Sequence, residues 1–169
     1  KKFTINKVSV SGIKAISVSD VLPLLEMKNG RVYSSKGIQT DLSGLRKYYA
    51  DNGYSNVRVT PRIDSASETT VNIEYSVSEG VQSTVELINI TGNDKTHDNV
   101  IRRELRMFPG DLFSRKKLMD SYRDIFMLNF FDNVIPDIVP VNEDEIDLQI
   151  EVYEKSTGQA NFSMGYNEI

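Results

Sequence analysis

Two periods alternate along this chain, and their order repeats. Apolar Leu42, Leu45, Tyr48 and Tyr49 recur at helical spacing, and Val57, Val59 and Ile63 then recur at strand spacing. The switch crosses Asn52-Gly53-Tyr54, where Gly53 takes at no steric cost the left-handed conformation that closes a helix. The same helix-stop-strand joint returns as Ile125–Val134 (IFMLNFFDNV), with Asn129, the next-best left-handed residue, in the closing position. Around these joints Gly12 aligns with Gly92, Leu25 with Leu105, Gly30 with Gly110, Tyr33 with Phe113 and Ser34 with Ser114. A period of about 80 residues indicates a duplicated unit rather than one large domain.

Each copy reads strand-helix-helix-strand-strand. In the first, residues 5–12 form a strand and Ser19 caps a short helix to Met27, with Pro23 in its first turn. Ser34 or Ser35 then caps a helix to Asn52, and strands 55–63 and 71–77 flank the polar turn 64–68. In the second, 85–92 is a strand, Thr96 caps a helix to Met107, and Ser114 caps a helix to Leu128. Strands 133–141 and 146–152 follow, around Asn142-Glu143-Asp144-Glu145. The last strand of each copy alternates cleanly (Val71, Ile73, Tyr75, Val77; Ile146, Leu148, Ile150, Val152), so one face is buried and one wet. The fold class is α+β, two tandem β-α-α-β-β units, each a three-stranded mixed sheet covered by two helices on one face. Residues 79–83 join the units without a Pro-rich or Gly/Ser-rich spacer, which restricts their relative orientation.

Proline sets the strand order. It cannot donate to a ladder and is confined to edges and bulges. Pro61 falls in the first unit's middle strand, Pro136 and Pro140 in the second's, and the last strand of each contains neither Pro nor Gly. Each sheet therefore runs first, last, middle. Residues of like parity turn their backbone groups the same way, so Pro61 implies that Val57, Val59 and Ile63 face the open edge. Pro136 and Pro140 leave only Val134 and Ile138 as donors on the other. An open edge accepts another extended chain by β-augmentation, which makes Val57, Val59 and Ile63 the candidate binding strand. The alternative is an ordinary edge blunted by Pro61, Arg58 and Arg62.

Composition narrows the chemistry. A net charge of −4 over 169 residues argues against nucleic acid as a general partner. The absence of cysteine removes disulfides, redox motifs and thiolate metal sites. His97 is the single histidine and has no nucleophile arranged near it, and Asn142–Glu145 lacks calcium-loop spacing. No phosphate-binding glycine loop or hydrolase motif is present, so no enzyme, cofactor or metal is indicated. No stretch approaches 18 apolar residues. The chain opens KKFTINKV without a signal-peptide run, so either it is not exported or it is an excised piece. Arg102, Arg103, Arg106, Arg115, Lys116 and Lys117 form a basic cluster, whereas 137–154 carries acids without a base. That lopsidedness favours oriented docking on charged partners or lipid head groups; the alternative is a solvated helix face and a solvated hairpin. Arg102 and Arg106 sit four apart on one helical face.

The element order, with LRKYYADNGYSNVRV in one copy and VIRRELRMFPGDLFS…FFDNV in the other, resembles the POTRA domains of BamA-type outer-membrane assembly proteins. The resemblance covers residues 3–79 as a penultimate domain and 84–155 as the last, membrane-proximal one. In 156–169, Ala160, Phe162, Met164 and Tyr166 alternate with polar residues after Thr157-Gly158, the pattern that opens a transmembrane barrel. The resemblance implies a non-enzymatic periplasmic module at the outer membrane. Such a module binds unfolded outer-membrane protein precursors and accessory lipoproteins and guides insertion, and the resemblance makes Arg102 and Arg106 the candidate contacts for such a lipoprotein. A two-partner-secretion transporter, or a barrel-less POTRA scaffold of the envelope or division machinery, would look similar at this level.

Overall fold

The computed structural model describes residues 2–156; the alternating segment from 157 on, read above as the opening of a barrel strand, lies outside the described residues. The first unit comprises β1 (Thr4–Ser11), α1 (Val18–Val21), α2 (Ser35–Asp51), β2 (Arg58–Ser65) and β3 (Thr70–Ser78). The second comprises β4 (Thr84–Thr91), α3 (Asp98–Arg102), α4 (Arg115–Met127), β5 (Phe131–Pro140) and β6 (Glu145–Glu154). The sheets are ordered β1-β3-β2 and β4-β6-β5, with the first pair parallel and the second antiparallel in each. This is the order that the prolines predict.

Each unit buries its own cluster. Ile73, Tyr75 and Val77 of β3 meet Leu42, Leu45 and Tyr49 of α2. Leu148, Ile150 and Val152 of β6 meet Leu118 and Ile125 of α4. Ser34 and Ser114 cap the long helices, their hydroxyls accepting from the Gly37 and Lys117 amides. The helices close at Gly53 (φ +95°) and Asn129 (φ 62°), both left-handed as expected.

The short helices differ from the sequence reading. The cap of α1 is Ser17, not Ser19, whose own amide donates to the Ser17 hydroxyl. The helix does not reach Met27 but tightens after Val21 into a single 3₁₀ turn over Leu22–Leu24. Pro23 has no N–H to continue an α-helical ladder. In the second unit the cap is His97 rather than Thr96, and α3 ends at Arg102, not Met107. Thr96 is diverted: its amide donates to the Glu154 carboxylate at 2.6 Å.

That diversion belongs to a clamp present in both units. Glu79, just after β3, accepts from the Lys14 amide at 3.0 Å and the Ala15 amide at 3.0 Å. Glu154, ending β6, accepts from the Lys95 and Thr96 amides. Each carboxylate ties the loop after the first strand to the end of the last strand. Glu79 is buried and also receives the Tyr49 hydroxyl at 3.0 Å. Burial pushes the Glu79 carboxyl up, but the Lys14, Ala15 and Tyr49 donors more than offset it, and its pKa lies below the ordinary value. Burial first, then Glu79, raises the Tyr49 hydroxyl well above the usual range. A second tie holds the segment after each short helix: Asp41 accepts from the Glu26 and Met27 amides and the Tyr75 hydroxyl. In the other unit the Ser121 hydroxyl accepts from the Arg106 amide at 2.8 Å.

Glu79 has a depressed pKa in the folded state, so its contribution is complete above the unfolded carboxyl range, about pH 4.3. It is lost as pH falls through the lower folded value. Urea denaturation followed between about pH 2.5 and 6 should show this loss, and Glu79→Gln should flatten it. Gly12 is a separate test. Its φ is +80°, and an added Cβ would collide with the Val77 carbonyl oxygen. Gly12→Ala should cost about 2–4 kcal/mol, from left-handed strain plus overpacking, read as a lower urea midpoint.

Candidate functional site: strand edges and the joint

A three-stranded sheet has two outer edges, and the first strand of each unit is sealed over its opening half. Ile5 exchanges backbone hydrogen bonds with Gly30 and Arg31, and the Tyr33 amide reaches Phe3. Val85 does the same with Gly110 and Asp111, and the Phe113 amide reaches Ser83. Further along, the Val8 amide meets the Asn29 side chain and the Leu87 amide meets Asp147.

The proline-bearing strands form the opposite edges. The register of β2 against β3 pairs Pro61 with Tyr75 and Ile63 with Ile73. Beyond β2 the Ala66 amide donates to the Thr70 carbonyl at 2.9 Å, which fixes the phase of the ladder. Thr60, Arg62 and Asp64 therefore turn toward β3, and Val59, Pro61 and Ile63 turn outward. The outward donors are the Val59 and Ile63 amides, and the outward acceptors are the carbonyls of Val59, Pro61 and Ile63. Val59 is buried beneath the helices, whereas Ile63 is 42% exposed. Val57 shares their parity but lies before β2. The strand starts late because Ser55 is still held at the joint, its hydroxyl 2.6 Å from that of Ser83.

β5 has the same phase and a different outcome. The Val141 amide donates to the Glu145 carbonyl in the pair that follows β5, so Val134, Pro136, Ile138 and Pro140 face out. Two of these have no N–H. The other two amides are taken by the preceding side chain: Val134 donates to Asn133 Oδ1 at 3.0 Å, and Ile138 to Asp137 Oδ1 at 2.9 Å. From Val134 to Pro140 this edge retains acceptors and offers no free donor. Sequence reasoning located the prolines but missed the Asn and Asp caps, which stand immediately before the two remaining donors.

The arginines do not share a helical face, because α3 ends at Arg102 and the chain leaves the helix before Arg106. Arg102 bonds Asp98 and reaches the Ile88 carbonyl at 3.1 Å, so it fastens α3 to β4. Arg106 is more exposed and makes a two-nitrogen contact to Asp124 of α4. Arg103 and Arg123 are likewise paired, with Glu104 and Asp120. Acids thus intersperse the basic cluster. The sequence reading also missed an apolar rim at the end of α4, where Phe126, Met127 and Phe130 are exposed. The Lys155 amide donates to the Phe130 carbonyl beside it.

Between the units, Ser83 is fully buried. Its amide donates to the Gly53 carbonyl at 2.8 Å and its carbonyl accepts from Phe113 at 2.8 Å. The Leu112 side chain rests on Gly53, where a Cβ would approach it to 3.0 Å, and Gln82 Nε2 donates to the Asn52 carbonyl.

Comparison with known proteins places this geometry. The BamA outer-membrane protein assembly factor of Neisseria meningitidis is 33% identical over 98% of this chain, which covers 21% of that protein. A Treponema pallidum protein described as a putative outer membrane protein assembly factor is 31% identical over 96% of the chain and 20% of its own length. The chain thus spans about a fifth of these relatives. Among solved structures, POTRA3-5 of Haemophilus influenzae BamA superposes with a TM-score of 0.81 at 21% identity. It covers 90% of this chain and 61% of that one, and the likeness shows a shared fold. Residues 3–80 and 83–155 each match the family model for POTRA, the surface antigen variable number repeat, and the chain belongs to that family as two tandem domains.

Proposed function

We propose that this chain is the periplasmic POTRA region of an outer-membrane β-barrel assembly factor, its two domains being the last two before the barrel. The chain binds unfolded outer-membrane protein precursors by β-augmentation on β2, docks accessory outer-membrane lipoproteins through the second domain, and guides clients toward insertion. The kinship with BamA proteins supports the assembly role. The observation that carries the client-binding part is the contrast between the two proline strands. Along β2 the Val59 and Ile63 amides face out beside three outward carbonyls, whereas along β5 every outward donor from Val134 to Pro140 is absent or capped. Backbone pairing supplies affinity without demanding one client sequence, which suits many different precursors. The second domain's docking face is assigned to the α3–α4 side, with Arg102 holding the surface in shape and Arg106 presented to the partner.

Hydrogen exchange with an alternating apolar/polar client peptide tests the edge. Protection should rise at Val59 and Ile63 and stay unchanged at Val134 and Ile138; the reverse pattern would falsify the assignment. Replacing Asn133 and Asp137 by Ala uncaps both β5 amides, and this double variant should gain peptide protection there. For the partner face, Arg106→Glu should weaken lipoprotein binding in a salt-dependent manner, about two- to fivefold for an exposed charge. Binding that is indifferent to this reversal removes Arg106 from the docking face.

A further inference from the structure

A groove at the joint is cationic, and no acid lines it. Ser43, Arg46 and Lys47 on α2, Ser55 and Val57 before β2, and Arg115 at the start of α4 line a cavity of about 480 Å³ where the two domains meet. The three cations make no ion pair among the described residues, unlike Arg102, Arg103, Arg106 and Arg123, each held by a neighbouring acid. The acid closest in sequence on α2, Asp51, stands four residues from Lys47 and forms no bridge with it; one of its carboxylate oxygens is buried without a hydrogen-bond partner. Lys116 and Lys117 follow Arg115 and add to the same sign. Like charges gathered on a concave wall focus a positive potential and raise the local concentration of anions. In a chain of net charge −4, this concentration runs against the overall balance.

The groove lies at one end of the open strand. Val57, part of its wall, precedes the open run Val59, Pro61, Ile63 by two residues and shares its parity. At about 3.3 Å per residue, a strand laid on β2 reaches the groove some two residues beyond Val59. Antiparallel pairing is the commoner mode and directs the added strand's C-terminal end that way. We propose that the groove takes a carboxylate-bearing C-terminal flank of the extended chain docked on β2, through Arg46, Lys47 and Arg115. This assignment rests on the β2 reading above and adds to it a preference: clients whose apolar alternation ends in acidic side chains or a free carboxylate bind better. Backbone pairing holds any strand, and the groove sets direction and register.

The test uses the two-domain chain and three peptides with one alternating core, flanked by Glu-Glu at the C-terminal side, Gln-Gln at that side, or Glu-Glu at the N-terminal side, all amidated. Fluorescence anisotropy at low salt should rank the C-terminal Glu-Glu peptide about five- to tenfold tighter than the other two, the scale of two exposed ion pairs acting together. The advantage should vanish at high salt and in the Arg46→Gln/Arg115→Gln variant, whose changed residues are exposed. Equal affinities, or a preference for the N-terminal flank, overturn the proposal. So does a double variant that keeps the peptide preference and loses only adhesion to vesicles containing anionic phospholipid, which would make a lipid phosphate the occupant. The Gln-Gln peptide separates the two readings. If it fails to protect the Val59 and Ile63 amides, the β2 assignment falls; if it protects them and flank charge has no effect, only the groove assignment falls.

Discussion

A β-strand turns its backbone groups alternately to the two sides, so a border strand always has donors and acceptors aimed away from its sheet. How those groups are satisfied decides what each POTRA domain can do. On the first strands the chain answers for itself: 30–33 and 110–113 fold back and exchange backbone bonds with Ile5 and Val85. On β5 the answer is chemical, two prolines and two side-chain caps in strict alternation, Asn133 for Val134 and Asp137 for Ile138. On β2 a single proline interrupts the edge and the amides on either side of it point outward. At these edges the difference between the domains lies in about four side chains on one strand, while the order of their sheets is the same.

The buried polar ties diverge in the same measured way. Tyr49 and Tyr75 of the first domain each donate to a buried carboxylate, Glu79 and Asp41. Ile150 stands at the place of Tyr75 in the second domain and Ser121 at that of Asp41, while α4, a turn shorter than α2, ends before any counterpart of Tyr49, and Glu154 keeps only donors from the Lys95–Thr96 loop. Removing one partner of a buried polar pair costs more than replacing both by apolar groups. Tyr75 and Asp41 are therefore exchanged together, for Ile150 and Ser121, whereas the second domain keeps Glu154 without a tyrosine. Its core is accordingly the more aliphatic one, and its clamp the more exposed.

Much of this was legible in the sequence because its causes are local. The sheet order followed from Pro61, Pro136 and Pro140, since a missing donor is missing in every context. Gly53 and Asn129 marked the helix ends because few residues accept positive φ. The short helices were misread for the opposite reason. Ser17 and Ser19 offer the same capping chemistry two residues apart, and Thr96 is claimed by Glu154, a residue 58 positions away. Arg102 and Arg106 have helical spacing, but the segment between them unwinds so that the Arg106 amide can reach Ser121. The caps of β5 depend on side-chain rotamers, which no residue period reveals.

Whether an open edge can be used also depends on what stands at its end. β2 begins at the joint, and the joint is tight: Ser83 spends its amide, carbonyl and hydroxyl on Gly53, Phe113 and Ser55. A buried serine with all three groups committed cannot be moved without leaving unpaired polar atoms in the interior. The Leu112 side chain closes on Gly53 from the other domain, so hinge motion there must break packing as well as hydrogen bonds. These contacts place Arg115 of the second domain beside Arg46 and Lys47 of the first. A flexible linker would let those like charges drift apart, and the groove they form would lose its field. The energy that orients the two domains is thus what holds three repelling cations together at the mouth of the open strand.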